Sequence, residues 1–282
     1  MPSDPTHDPV FAAREFDYSP RDFERARRLI HQRAGIALGE GKTEMVYSRL
    51  VKRLRALGMG AFREYLAQLE SVDHPEWEHF VNALTTNQTD FFREAHHFAL
   101  LADHVRSTRD RPVRVWSAAS ATGEEPYSIA ITLCEAFESL MPPAKIVATD
   151  LDTRVLAQAR EGIYPLEKVS SLDPERLRRF FLKGRGTREG SARVRDAVRE
   201  LVEFRTLNLR DDRWNVDGVF DAIFCRNVLI YFDKPTQRAV LERLAERLAP
   251  DGIYFAGHSE SLLNAADLFE PCGRTAYRKR HG

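Results

Sequence analysis

A carboxylate, a small-residue turn and a pair of acids stand at spacings that can hold a nucleoside. The apolar run Val113 to Ala119 leads into Ser120-Ala121-Thr122-Gly123, then into a helix-like stretch opened by Glu124-Glu125-Pro126. A second apolar run, KIVATD, ends on Asp150. Strand, tight turn, helix, strand, acid is the first half of a nucleotide-binding βαβ unit. Its turn lets a ligand reach the backbone, and its terminal carboxylate can accept both hydroxyls of a ribose. The turn argues against a dinucleotide. A pyrophosphate is held by several glycines and a bare helix N-terminus, whereas here one glycine, Gly123, precedes two carboxylates. Acids suit the positive end of a helix dipole but repel a phosphate. They fit a ligand with a ribose, a positive charge and no phosphate, of which S-adenosylmethionine (SAM) is the common example. The same two acids serve equally well as ordinary first-turn helix residues.

Ligands of open α/β sheets sit beyond the carboxyl ends of the strands, which draws three more segments towards this pocket. Asn208 and Leu209 follow an expected strand at 202–207. Arg226 and Asn227 end the run VFDAIFC and precede Val228-Leu229-Ile230-Tyr231-Phe232. Burying such polar groups without partners costs about 1–3 kcal/mol. The pair therefore points to a site, unless Asn227 caps a turn and Arg226 pairs with Asp221. The third segment, Leu84 to Glu94, offers hydroxyls, an amide and Arg93 beside two phenylalanines to an interdomain cleft. A polar linker with two anchoring aromatics has the same composition. His96 and His97 are adjacent and point about 100° apart on a helix, which favours surface or capping roles over a shared metal ion.

The elements that must position these residues fall into two parts. Residues 1–15 read as a disordered tail, proline-rich and acidic. Ser19-Pro20 starts a helix that Gly35 ends, and a second follows Thr43 with Val46, Leu50, Leu54 and Leu57 on one face. Arg49, Lys52 and Arg55 fall on the opposite face. Phe62 to Leu69 and Trp77 to Leu84 suggest two further helices, so residues 16–85 form an all-helical domain. From Arg111 apolar strands alternate with helices, which implies a parallel sheet covered on both faces. Strands are expected at 113–118, 145–149, 202–207, 219–225, 252–257 and 275–279, and helices at 124–138, 153–160 and 236–248. Between Tyr164 and Glu203 the chain is far longer than a crossover needs. It includes the glycine-rich, basic stretch KGRGTREGSARV, and an inserted subdomain of a helix and a short antiparallel hairpin is expected over about 164–203.

Composition limits the function. The 282 residues are 43% hydrophobic and 30% charged, with 42 basic and 42 acidic residues, so no global field favours nucleic acid or a membrane surface. Locally, Arg21 to Arg55 holds ten Lys or Arg against four Asp or Glu. Three well-separated cysteines form neither a metal motif nor a disulfide framework. No apolar stretch approaches the roughly 20 residues that span a bilayer. A cytoplasmic protein is expected.

The blocks TTNQTDFFRE, RVWSAASATGEEPYSIA, ATDLD, FDAIFCRNVLIYF and GIYFAGHSESL, in this order, closely resemble the CheR-type chemotaxis receptor methyltransferases, from about residue 20 onwards. The resemblance implies a Rossmann-like SAM-dependent methyltransferase over 86–282 that esterifies glutamate side chains on the cytoplasmic helical bundle of chemoreceptors, releasing S-adenosylhomocysteine. It implies that Asn87, Thr89, Arg93, Glu124 and Asp150 hold the cofactor, with Asn208, Leu209, Arg226 and Asn227 framing its adenine and methionine ends. It also places Arg93 and Tyr231 near the transferred methyl. Arg49, Lys52 and Arg55 would then meet the acidic receptor helices, or form a solvated helix face. Some family members hold a receptor tail peptide on the insertion. A SAM enzyme acting on RNA or a metabolite, and a non-catalytic SAM-binding module, are the competing readings.

Overall fold

The computed structural model describes residues 14–107 and 111–280; of the tail expected over residues 1–15, residues 1–13 lie outside them. Its last two residues are ordered by side-chain pairs, Arg14 with Glu44 and Glu15 with Arg55. Four helices follow: α1 (Pro20–Ala34), α2 (Thr43–Leu57), α3 (Phe62–Gln68) and α4 (Glu76–Leu84). Ser19 and Asp22 form a reciprocal capping box on α1, and left-handed Gly35 and Gly58 stop α1 and α2. Ile30, Leu50, Leu54, Phe62 and Phe80 pack together inside. Glu76, buried among them, takes Arg53 through two bonds of 2.7 and 2.9 Å and the Tyr65 hydroxyl at 3.0 Å.

Helix α5 (His96–Ser107) leads into the sheet domain. Its elements are β1 (Val113–Ala118), α6 (Glu124–Ala136), β2 (Ala144–Asp150) and α7 (Thr153–Glu161), then the insertion, then β6 (Val202–Thr206), β7 (Phe220–Cys225), α11 (Lys234–Arg247), β8 (Leu248–Ala256), β9 (Phe269–Gly273) and β10 (Ala276–Lys279). The sheet order is β6-β2-β1-β7-β8-β10-β9. The first five strands are parallel, but β10 runs antiparallel to both β8 and β9, so the sheet is mixed and not wholly parallel as the alternating pattern implied. Strand β9 (FEPCG) escapes a hydropathy reading because only Phe269 is buried. Pro250-Asp251-Gly252 forms a bulge inside β8, which starts earlier than the expected strand 252–257, and there the register jumps from Leu248 opposite Phe220 to Ile253 opposite Ala222.

The insertion comprises β3 (Ile163–Pro165), α8 (Leu166–Val169), α9 (Pro174–Phe180), β4 (Phe181–Lys183), β5 (Ser191–Val194) and α10 (Asp196–Arg199). Its antiparallel sheet has three strands, order β3-β5-β4, one more than the expected hairpin. The glycines shape the β4–β5 connection itself: a Cβ at Gly184 would overlap the Arg188 carbonyl, and Gly186 and Gly190 are left-handed.

The two domains are joined by directed bonds. His31 on α1 lies 2.9 Å from Asp233, the N-cap of α11, and the Asn208 amide donates to the Arg33 carbonyl. Buried Asp152 is a further joint. One carboxylate oxygen caps α7 through the N–H groups of Arg154 and Val155; the other accepts from Thr85 at 2.8 Å and Asn87 at 2.7 Å. Asp152→Ala therefore removes a helix cap and frees the linker, and should lower stability by about 1–3 kcal/mol, read from the urea midpoint. An unchanged midpoint would show that the joint is dispensable.

Candidate active site

A cleft opens at the carboxyl ends of the strands where the order reverses, between β1 and its neighbours β2 and β7. Ala119, Ala121, Asp150, Asn208, Leu209, Arg226, Asn227 and Tyr231 line it from the sheet domain, and Asn87, Thr89 and Arg93 from the linker. Ile36, Leu38 and Lys42 of the helical domain close its other side. The Ala37 N–H donates to the Tyr231 carbonyl at 2.7 Å, fixing that wall to the sheet domain.

Asp150 sits at the mouth of β2. One carboxylate oxygen accepts the Ala121 N–H at 2.8 Å and the other the Asp152 N–H at 2.9 Å. Each oxygen keeps a second acceptor direction, which is what a pair of ribose hydroxyls requires. Burial pushes this carboxyl up to about 6, against the pull of the two backbone bonds. Ala119 and Ala121 take positive φ of 95° and 46° in the turn, a strain that only small side chains and a tightly held loop sustain. Gly123 serves a different purpose from the one its motif suggests. Its Cβ position lies 2.8 Å from the Tyr164 hydroxyl and 2.9 Å from the Ala159 Cβ, so the glycine lets the insertion and α7 pack behind the turn.

The two adjacent acids part company. Glu125 reaches the cleft floor, taking the Ser117 hydroxyl at 2.7 Å and Arg226 at 3.1 Å. Glu124, expected at the cofactor, is not among the side chains lining the cleft. It is 2% exposed, accepts from the Thr122 hydroxyl at 2.6 Å and lies 3.8 Å from Lys168. The reason is the helix itself, which turns consecutive side chains about 100° apart. Burial raises both carboxyls, opposed at Glu124 by the Thr122 bond and at Glu125 by Arg226.

Arg226 does not pair with Asp221, which binds Arg111 and the Arg114 N–H instead. Its guanidinium holds Glu125, the Arg93 carbonyl at 2.6 Å and, at 3.5 Å, Glu94. Glu94 also accepts the His258 N–H at 3.1 Å, so the linker is fastened to β7 and β8 together. Arg93 is left exposed at the cleft, its guanidinium touching only the Gln88 carbonyl at 3.3 Å among the described contacts. Asn87 lines the same cleft with its amide nitrogen given to Asp152.

His96 and His97 differ from expectation. His97 is fully buried, and both rings converge on the Arg274 carbonyl. Glu94, His96 and His97 bring potential ligand atoms within 4.8 Å of one another. The Arg226 cation already stands beside the same Glu94 oxygen, which opposes a metal ion there. Burial, then Arg226, pushes His97 down to about 4 and keeps it neutral.

The three basic residues expected as a stripe on α2 differ in their surroundings. Arg49 is not free: its guanidinium donates to the carbonyls of Leu84 at 3.1 Å and Thr85 at 2.7 Å, capping α4. Arg55 pairs with Glu15, while Lys52 is exposed. None of the three lies in the cleft. Sequence reasoning singled out neither Asp152, Glu94 and Glu260 nor the wall at Ile36 and Leu38; the three acids stand inside the quoted blocks, where their partners, distant in sequence, left no periodic signal.

A reversed-order α/β sheet, an acid at the end of β2, a turn unsuited to phosphate and a cleft floored by carboxylates define a SAM-dependent methyltransferase. The residues fit that cofactor: Asp150 offers free acceptor positions to a ribose, and Leu207, Leu209 and Val228 offer an apolar wall to a base. The family model described as the CheR methyltransferase SAM binding domain matches residues 87–278, and that of the CheR all-alpha domain matches residues 21–85. The chain belongs to the CheR methyltransferase family. It is 53% identical to chemotaxis protein methyltransferase 2 of Pseudomonas aeruginosa, over 96% of this chain and 98% of that one. It is 53% identical to the chemotaxis protein methyltransferase of Salmonella typhimurium (92% and 90%) and 52% to that of Escherichia coli (92% and 91%). Among the described residues, no helix is long and apolar enough to cross a membrane.

Asp150 gives a pH signature. A ribose held at Asp150 would bind its ionised form, so the bound carboxyl would titrate lower than the free one at about 6. Affinity is then complete above that pH and falls as the pH drops through it, approaching about tenfold per unit. Calorimetric titration with S-adenosylhomocysteine should show this slope, and Asp150→Asn should abolish it. A flat affinity from about pH 7.5 to about pH 5 would remove Asp150 from the ribose site.

Proposed function

We propose that this protein transfers the methyl group of SAM to glutamate side chains on the cytoplasmic helical bundle of chemoreceptors, forming methyl esters. The observation that carries this reading is the exposed Arg93 guanidinium at the rim of a cleft that also holds Tyr231 and Asp150. A side-chain carboxylate is already ionised at neutral pH, so it needs to be oriented and not deprotonated. Arg93 supplies a cation in two-point geometry for such a group. Bound in the cleft, SAM supplies an electrophilic methyl on a sulfonium centre. Asp150 holds the ribose; Asn208 and Leu209 lie at the base, and Arg226, Asn227, Asn87 and Thr89 at the amino-acid end. Tyr231 narrows the cleft beside the reacting carbon and excludes water. Alignment of this kind accounts for several kcal/mol of barrier lowering.

Arg93→Ala should lower kcat by about 100-fold or more with receptor-containing membranes and labelled SAM. The label should sit on the receptor and be released by base, as an ester is. Base-stable label, label on RNA, or undiminished Arg93→Ala turnover would redirect the assignment.

Two docking contacts belong to the same reading. Lys52 and Arg55 offer positive charge to acidic receptor helices, with Arg49 structural. The inserted sheet offers the free edge of β4, where Leu182 is 41% exposed, to an extended receptor tail peptide by strand addition. Lys52→Glu with Arg55→Glu, and separately removal of the receptor tail, should each raise the KM for receptor by roughly tenfold while cofactor affinity stays unchanged. An unaltered KM in either case eliminates that contact.

A further inference from the structure

Glu260 makes no contact with the cleft, yet it governs the turn that forms one side of it. The residue is 7% exposed, and its carboxylate accepts four backbone N–H groups. Gly257 donates at 2.6 Å and Asn227 at 3.0 Å to one oxygen; Val228 at 3.0 Å and Leu229 at 2.8 Å donate to the other. Three successive N–H groups aimed at one point form an anion-binding nest. The nest exists because Asn227 is left-handed at φ 56° while Val228 returns to φ −121°. Here the chain provides its own anion.

The turn carries much of the site. Arg226 enters it, Asn227 and Val228 form it, and Tyr231 and Phe232 leave it through a 3-10 turn at Leu229–Tyr231; all five line the cleft. The end of β8 presses on the same place. A Cβ at Gly257 would stand 2.7 Å from the Asn227 nitrogen and also strike its side-chain amide. Asn227 is thus held from below by a carboxylate and from the side by a residue with no room for a side chain. No other backbone acceptor is described for the N–H groups of Asn227 and Val228, so loss of the carboxylate frees the turn to rotate.

We infer that Glu260 is a positioning residue for methyl transfer: by clamping residues 227–229 it sets the Asn227 side chain against the cofactor and Tyr231 beside the transferred carbon. This rests on the contacts proposed above for Asn227 and Tyr231. An amide at 260 would replace one acceptor oxygen with an N–H donor facing other N–H donors, at unchanged size. A role confined to stability would lower the melting temperature and leave the folded enzyme's constants alone.

Glu260→Gln should therefore weaken S-adenosylhomocysteine binding, measured by calorimetry, by roughly tenfold and lower kcat by a similar factor, the scale of about one lost charged hydrogen bond. Gly257→Ala displaces Asn227 by a steric route with the carboxylate intact, and should give the same pair of changes; it carries the test if Glu260→Gln does not fold. Asn227→Ala should weaken binding by itself, and adding Glu260→Gln to it should cost little more, because both act through one contact. Fully additive losses, or wild-type binding and kcat in folded Glu260→Gln and Gly257→Ala proteins, overturn the inference. Unchanged binding in Asn227→Ala alone overturns the contact assigned to Asn227, and with it that half of the role given to Glu260.

Discussion

An ionised carboxylate removed from water must be surrounded by hydrogen-bond donors, and loops at strand ends have backbone N–H groups that need acceptors. The cleft edge of this sheet satisfies both demands with one device. Asp150 takes two N–H groups, Asp152 caps a helix and holds the linker, and Glu260 takes four N–H groups. Where backbone donors do not suffice, Arg226 supplies the charge to Glu94 and Glu125. Each acid fastens segments far apart in the chain, so the cleft is rigid although nearly all of it is loop. The exception is informative: Asp150 has acceptor directions to spare, and burial pushes its carboxyl up to about 6. In the proposed function it is the acid whose remaining donors arrive with the cofactor.

How much of this could be read beforehand depends on the range of the interaction. Helices α1 to α4 and strands β1, β2 and β7 were legible because capping residues, glycine stops and apolar runs are local signals. The acid of β2 and the turn before α6 were legible for the same reason. The sense of β10 was not, because an antiparallel strand shows the same apolar residues as a parallel one. The resemblance implied Glu124 at the cofactor; in the fold Glu125 meets Arg226 and Glu124 lies near Lys168, a difference set by how α6 is seated against the sheet. Arg49 looked like a surface charge from helix periodicity alone; the carbonyls it caps belong to α4, 34 to 36 residues away. Glu260 and Asn227 are 33 residues apart, with no periodicity to connect them.

The helical domain contributes more than a surface. Its wall at Ile36 and Leu38 completes the cleft, and it is attached through Ala37 to Tyr231, His31 to Asp233 and Asn208 to Arg33. Tyr231 is therefore fixed from both sides, by the nest before it and by the neighbouring domain at its carbonyl. In the proposed function Tyr231 shapes the space around one carbon atom, where a displacement of about 1 Å can cost on the order of 100-fold in rate.

Lys168 belongs to the insertion, yet its ammonium group donates to the Thr89 carbonyl at 2.8 Å and to Asp90 at 2.9 Å. The Tyr164 hydroxyl, from the same insertion, donates to the Thr122 carbonyl at 2.8 Å. The insertion thus cannot be exchanged between relatives as a self-contained cassette. A chimaera that swapped it would need residues 164 and 168 retained, or the linker and the turn before α6 would lose the anchors that brace one side of the cleft.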